Sequence, residues 1–180
     1  GMCSQTGTYL ETPAHLLGYE KSYPLIDVPL DKVVDVETYV ISLNYSELEK
    51  KDGRPFITKT AILGKTDESK IKECKAVLVS TGWGKQWKDK NYVEGSPFFS
   101  YNAIEWLVSL GLDILGSDSP RWENLENPEG FFPMFYDADI LMLAPTVNTE
   151  KISRERCLLT VLPLKIEKTC CTPCRALVKI

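Results

Sequence analysis

The sequence predicts an α+β fold in one domain, with a helix packed on a sheet. Three observations carry this. Short apolar runs of strand length outnumber helical patterns. One strongly amphipathic helix stands between two groups of those runs. The chain has 180 residues, which fits a single domain over residues 1–180 able to bury its own core.

The elements follow in chain order. Residues 33–43 are dense in Val, Tyr and Ile and read as a strand. Residues 46–51 carry charge at helical spacing and stop before Asp52-Gly53, a turn pair. Ala76-Val77-Leu78-Val79 is an apolar run closed by Thr81-Gly82, the pattern of a buried strand. Residues 86–97 are polar and punctuated by Gly and Pro, hence a loop. Residues 100–110 form the clearest helix. Ala103, Ile104, Leu107, Val108 and Leu110 make one apolar stripe, with Ser100 as N-cap and Gly111 as the stop. Ile114-Leu115-Gly116 reads as a short strand that ends at Asp118, a turn cap. Residues 121–132 read as a charged loop with an aromatic end. Residues 140–143 form another buried strand, residues 150–156 a polar segment, and residues 158–164 a strand interrupted by Pro163. Residues 175–180 alternate like a terminal strand.

Composition excludes several function classes. Hydrophobic residues make up 43% and charged residues 26%, as in ordinary globular proteins. The formal net charge is −4 with no compensating basic cluster, which argues against a nucleic-acid partner. The longest apolar stretch, residues 140–144, is far too short to span a bilayer, so no membrane partner is expected. Gly1-Met2 reads as a tag remnant with no secretory leader after it, and a cytoplasmic location is the expectation. Of the six cysteines, Cys171 and Cys174 form a C-x-x-C. Reduced, mostly buried thiols are expected, because a zinc site needs a second pair or His partners and the chain holds one histidine.

Three stretches together resemble one family. Ser4-Gln5-Thr6-Gly7-Thr8-Tyr9-Leu10-Glu11-Thr12-Pro13-Ala14-His15 keeps Gly7, Thr8, Pro13 and His15 in register with a motif of the form H-x-G-T-H-x-D-x-P-x-H. The run through Thr81-Gly82-Trp83, Ser96-Pro97, Glu105-Trp106-Leu107 and Gly116-Ser117-Asp118 matches a second stretch. Val147-Asn148, Leu162-Pro163-Leu164 and Thr172-Pro173-Cys174-Arg175-Ala176 match a third. Their order and spacing resemble the cyclase family, metal-dependent hydrolases that include kynurenine formamidase, an arylformamidase of tryptophan catabolism. The resemblance implies a swivelling β/β/α domain, mixed sheets with helices on one side, and a homodimer or higher homo-oligomer. Relatives carry more chain before the first motif, and oligomerisation is expected to cover the strand edge this leaves.

The resemblance also implies a chemistry. A divalent cation, zinc or manganese, activates water and polarises a carbonyl, while a base moves the proton. Carried across, two motif His positions fall on Gln5 and Tyr9, the Asp position on Glu11, and the closing acid/base His on His15. The late His and Glu positions fall on Phe132 and Ala144. The pocket is therefore expected to hold Gln5, Tyr9, Phe132 and Ala144, with His15 and Glu11 as catalytic candidates. No confident cofactor remains, because zinc wants about four ligands from Cys, His or carboxylate. A cluster of Cys3, Glu11 and His15 is a possible rescue, and a hydrogen-bonded structural role is the alternative for His15. Three functions stay open: an amide hydrolase of the arylformamidase type, a non-catalytic relative binding a small molecule or a partner, and a zinc protein through Cys170, Cys171 and Cys174.

Overall fold

The structure is a computed structural model that describes Gly1 and residues 3–180. Met2, part of the expected tag remnant, lies outside the described residues. The strands are β1 (Tyr9–Glu11), β2 (Val36–Ser42), β3 (Lys50–Lys51), β4 (Arg54–Ile57), β5 (Ala76–Ser80), β6 (Phe98–Phe99), β7 (Ile114–Ser117), β8 (Leu141–Ala144), β9 (Arg156–Pro163) and β10 (Cys171–Lys179). The α-helices are α1 (Ala14–Leu17), α2 (Lys59–Leu63), α3 (Glu68–Ile71), α4 (Tyr101–Val108) and α5 (Phe132–Asp137).

Seven strands close into a barrel in the order β1-β10-β9-β2-β5-β7-β8. β2, β5, β7 and β8 run parallel to one another, and the remaining pairs are antiparallel. Leu10, Ala76, Leu78, Ile114, Leu141, Leu143, Leu159 and Val161 fill the barrel. The alternate residues Tyr39, Ile41, Val77, Val79, Leu115 and Met142 join the helices in a second core. That core includes Ile62, Ala103, Ile104, Leu107 and Phe135. Both faces of β5 are buried, so the sequence shows an unbroken apolar run rather than an alternating one. Gly116 is the small residue that admits Leu78: a Cβ there would lie 2.5 Å from Leu78 Cδ2.

The strong helix forms as its sequence dictates. Ser100 caps α4 by accepting from the backbone N–H of Ala103, and Gly111 takes the left-handed conformation after its last turn. The strand predictions at 33–43, 76–79, 114–116, 140–143, 158–164 and 175–180 correspond to β2, β5, β7, β8, β9 and β10. Residues 46–51 are not helical. Asp52 (φ 52°) and Gly53 (φ 77°) take consecutive left-handed conformations, which closes a hairpin between β3 and β4. The turn pair outweighs the helical charge spacing, because it requires strands on both sides. The aromatic end of the predicted loop is α5, which opens with Pro133 in its first turn.

Asp118 fastens the end of β7 to the end of β5. Its buried carboxylate accepts from the Thr81 N–H at 3.0 Å, the Thr81 hydroxyl at 2.8 Å and the Gly84 N–H at 3.4 Å. Burial pushes this carboxyl above its usual range, and those bonds pull the other way. Among the described residues no helix is long and apolar enough to cross a membrane. Asp118→Ala orphans three donors in the core and is expected to cost about 2 to 4 kcal/mol, read from the urea denaturation midpoint. An unchanged midpoint would show that this fastening contributes nothing.

Candidate functional site

β1 lies between β10 and β8, so it is pinned on both edges. Its period of two sends Leu10 into the barrel and presents Tyr9 and Glu11 to the helix-covered outer face. Gly7 (φ 69°) supplies the left-handed turn before β1, and Gln5 folds back beside Glu11. Thr8 holds the turn by donating to the Pro145 carbonyl at 2.6 Å. α1 follows at once and carries His15, four residues beyond Glu11. α5 supplies Phe132 and Tyr136, four residues apart and stacked at 5.7 Å between ring centroids.

These side chains enclose a cavity of about 310 Å³. Gln5, Tyr9, Glu11, His15 and Phe132 all line it. Ala144 does not. It sits opposite Tyr9 in the β1–β8 ladder and is fully buried. The sequence analysis missed Tyr136, Trp122, Arg121, Glu123, Leu125 and Met142, which complete the wall. Tyr136 had one sequence signal, its spacing of four from Phe132. The loop prediction for residues 121–132, which stops short of Tyr136, hid it.

Glu11 is the centre of the site. Its side chain is 2% exposed, and both of its oxygens are taken. Gln5 Nε2 donates to Oε2 at 2.8 Å, and the Tyr136 hydroxyl donates to Oε1. His15, with a side chain 44% exposed, places Nδ1 3.4 Å from Oε2. Burial, reinforced by the adjacent Glu11, holds the phenols of both Tyr9 and Tyr136 well above their ordinary range. Tyr136 donates to Glu11 as the neutral phenol.

This donor set does not fit a catalytic divalent cation. Two carboxylates, Glu11 and Glu123, and one imidazole line the cavity; Glu11 accepts from an amide N–H and a phenol O–H, and Glu123 Oε1 is turned to the backbone N–H groups of Gly130 and Phe131. A cation at Glu11 would have to find its further ligands beside the amide of Gln5 and the buried phenols of Tyr9 and Tyr136. Among the described residues no group of three His, Cys, Asp or Glu is placed to hold a metal ion. The rescue through Cys3 finds no support, because Cys3 is exposed and does not line the cavity.

The other cysteines divide by strand geometry. Cys171 and Cys174 are three apart on β10, so they point to opposite faces. Cys171 pairs with Glu11 across the ladder, Cys174 packs against the barrel core, and Cys170 lies 3.8 Å from His15 Nδ1. A common zinc site from Cys170, Cys171 and Cys174 is incompatible with this arrangement. Burial pushes the thiols of Cys157 and Cys171 up to about 11 and that of Cys174 up to about 12, and it raises Cys74 as well.

Comparison with known proteins agrees with this architecture. The Cyclase family model matches residues 1–124, more than half of the chain, and the chain belongs to that family. An isatin hydrolase from Roseibium aggregatum is 27% identical over 189 residues, covering 96% of this chain and 70% of that enzyme. Among solved structures, isatin hydrolase A from Labrenzia aggregata bound to benzyl benzoate superposes with a TM-score of 0.80. It is 19% identical and covers all of this chain and 75% of that one. A potential metal-dependent hydrolase with cyclase activity gives 0.73 at 19% identity, over 99% of this chain and 80% of that one. The chain is thus hydrolase-like at the level of its family, and that neighbour is described as metal-dependent.

Two outcomes are expected. Tyr136→Phe leaves one Glu11 oxygen buried without a donor and should cost about 1 to 3 kcal/mol by urea denaturation. At pH 8, Ellman's reagent should modify Cys3 and Cys170 in the native protein, while Cys74, Cys157, Cys171 and Cys174 react only after denaturation. Rapid native-state labelling of Cys174 would refute its placement in the barrel.

Proposed function

We propose that this member of the Cyclase family binds small aromatic amides, cyclic or N-acylated, and hydrolyses them with His15 as the acid/base. One observation carries the reading. The imidazole of His15 stands against Glu11 at the edge of a cavity walled by Phe132, Tyr136 and Trp122. Aromatic walls suit a planar ring, and the polar edge suits the amide. The isatin hydrolase relative supports the substrate class, since its name describes hydrolysis of a cyclic aromatic amide.

The chain's own residues suffice for a balanced reaction. With Nδ1 turned to Glu11, His15 keeps Nε2 for a water. The imidazole takes a proton from that water as its oxygen bonds to the amide carbon. The C–N bond then breaks, and His15 returns the proton to the departing nitrogen. Glu11 orients the ring and stabilises its protonated form.

A second reading is favoured by a different observation. Gln5 and Tyr136 occupy both oxygens of Glu11, which leaves a pocket suited to binding without turnover. The arylformamidase activity and tryptophan catabolism of the resemblance are specific forms of the first reading. The swivelling β/β/α description and the cytoplasmic location belong with it. A homodimer is supported by Leu162 (48% exposed) and Leu177 (51% exposed) on β9 and β10, away from the helices.

Turnover of isatin and of N-formylkynurenine by protein stripped of metal is the decisive measurement. Activity that falls at least a hundredfold in His15→Ala supports the hydrolase. Activity that survives His15→Ala refutes the acid/base role. Saturable binding of either compound with no turnover selects the second reading. In sedimentation velocity a dimer is expected, and a stable monomer at micromolar concentration would count against the exposed β9–β10 face as an interface.

A further inference from the structure

Glu123 is a second carboxylate in the wall of the Glu11 cavity, on the stretch Arg121-Trp122-Glu123 that follows β7. The residue is only 8% exposed, yet its two oxygens are treated unequally. Oε1 accepts from the backbone N–H groups of Gly130 at 2.6 Å and Phe131 at 3.3 Å. Oε2 receives no hydrogen bond among the described residues, and it keeps accessible surface rather than being sealed in. Glu123 lines the Glu11 cavity and not the polar pocket on the far side of Arg121, so the free oxygen opens on the Glu11 cavity.

The backbone that carries this oxygen is anchored. Arg54, a buried residue of β4, donates from Nη1 to the Glu123 carbonyl at 3.2 Å and from Nη2 to the Arg121 carbonyl at 3.1 Å. Its own position is set by Nε, which donates to the Ser96 carbonyl at 2.9 Å, and by the Phe98 ring beneath the guanidinium. Between the two anchored carbonyls, Trp122 packs against Phe99 and Phe135. Arg121 lines the same wall, but its guanidinium is paired with Glu94 at 2.5 Å and makes no ion pair with Glu123. Glu123 thus presents one fixed, unshared carboxylate oxygen to the cavity.

We propose that Glu123 is a substrate-binding residue whose Oε2 accepts the N–H of the bound amide, so that the site selects amides unsubstituted at nitrogen. A carboxylate oxygen can only accept, and one this far withdrawn from water is stabilised by a ligand that brings it a donor. The N–H of a lactam or an anilide is such a donor, and it sits at the edge of the ring that Trp122, Phe132 and Tyr136 would hold. An N-alkyl amide has no proton to offer and sets a methyl group against the oxygen. The assignment rests on reading this cavity as an aromatic-amide site. Within that reading Glu123 recognises the nitrogen, and His15 moves the protons.

The test compares calorimetric Kd values for isatin and N-methylisatin in the wild type and in Glu123→Gln, each also carrying His15→Ala where turnover interferes. The wild type should prefer isatin by about tenfold or more, the worth of a hydrogen bond to a charged group. Glutamine has the same size, and its carbonyl oxygen should stay on the Gly130 and Phe131 N–H groups, because its amide N–H₂ would meet two donors there. A donor then faces the cavity, so the preference should collapse to about twofold or less. Retained affinity for N-methylisatin shows that the variant is folded. A preference that persists unchanged in Glu123→Gln would trace to the bulk of the methyl group and overturn the proposal. So would equal affinities in the wild type, or no binding of isatin. Preference without turnover supports Glu123 and removes the hydrolase reading, whereas turnover without preference removes Glu123 alone.

Discussion

A carboxylate withdrawn from water must be surrounded by donors, and the candidate site is organised around meeting that demand at Glu11. Gln5 reaches it through the left-handed turn at Gly7, Tyr136 reaches it from α5, and His15 from α1. Three separate pieces of chain are brought to one side chain. Neither Gln5 nor Tyr136 would have reason to face the cavity if position 11 were apolar. The same network sets the chemistry, because it orients the carboxylate towards the His15 imidazole.

The barrel supplies the rigidity on which this depends. β1 is three residues long and would not hold a geometry alone, yet it is hydrogen-bonded on both edges. Its inward residue, Leu10, is fully buried in the barrel core, so Tyr9 and Glu11 are fixed on the opposite face. Asp118 performs a comparable task at the ends of β5 and β7, tying the Thr81–Gly84 turn to the strand beside it. Its neighbours Pro120, Arg121 and Trp122 then form one side of the cavity. Scaffold and site are thus linked through the strand ends.

The sequence made several of these features legible. β5, β7, β8 and α4 are visible because their apolar patterns are local and uninterrupted. Gln5, Tyr9, Glu11 and His15 were placed together by resemblance to one motif, and the cavity does gather them. The motif itself spans a turn, a strand and a helix start, so its residues are near neighbours along the chain. Phe132 joined them from a distance only because the resemblance assigned it. Short elements were less legible. α1 and α5 run for four and six residues, too few for a periodic signal, and charge at helical spacing concealed the β3–β4 hairpin.

What the sequence determined by itself was the class of fold and the change in the donor set. Apolar periodicity commits strands and helix, and Gln5, Tyr9 and Glu11 stand where the motif has His, His and Asp. Tertiary structure alone decided that Gln5 and Tyr136 would satisfy Glu11 and that Ala144 would pair with Tyr9 outside the cavity. It also sent Cys171 and Cys174 to opposite faces of one strand. Those outcomes depend on barrel closure, which pairs residues more than a hundred positions apart, and no local pattern encodes a pairing at that distance.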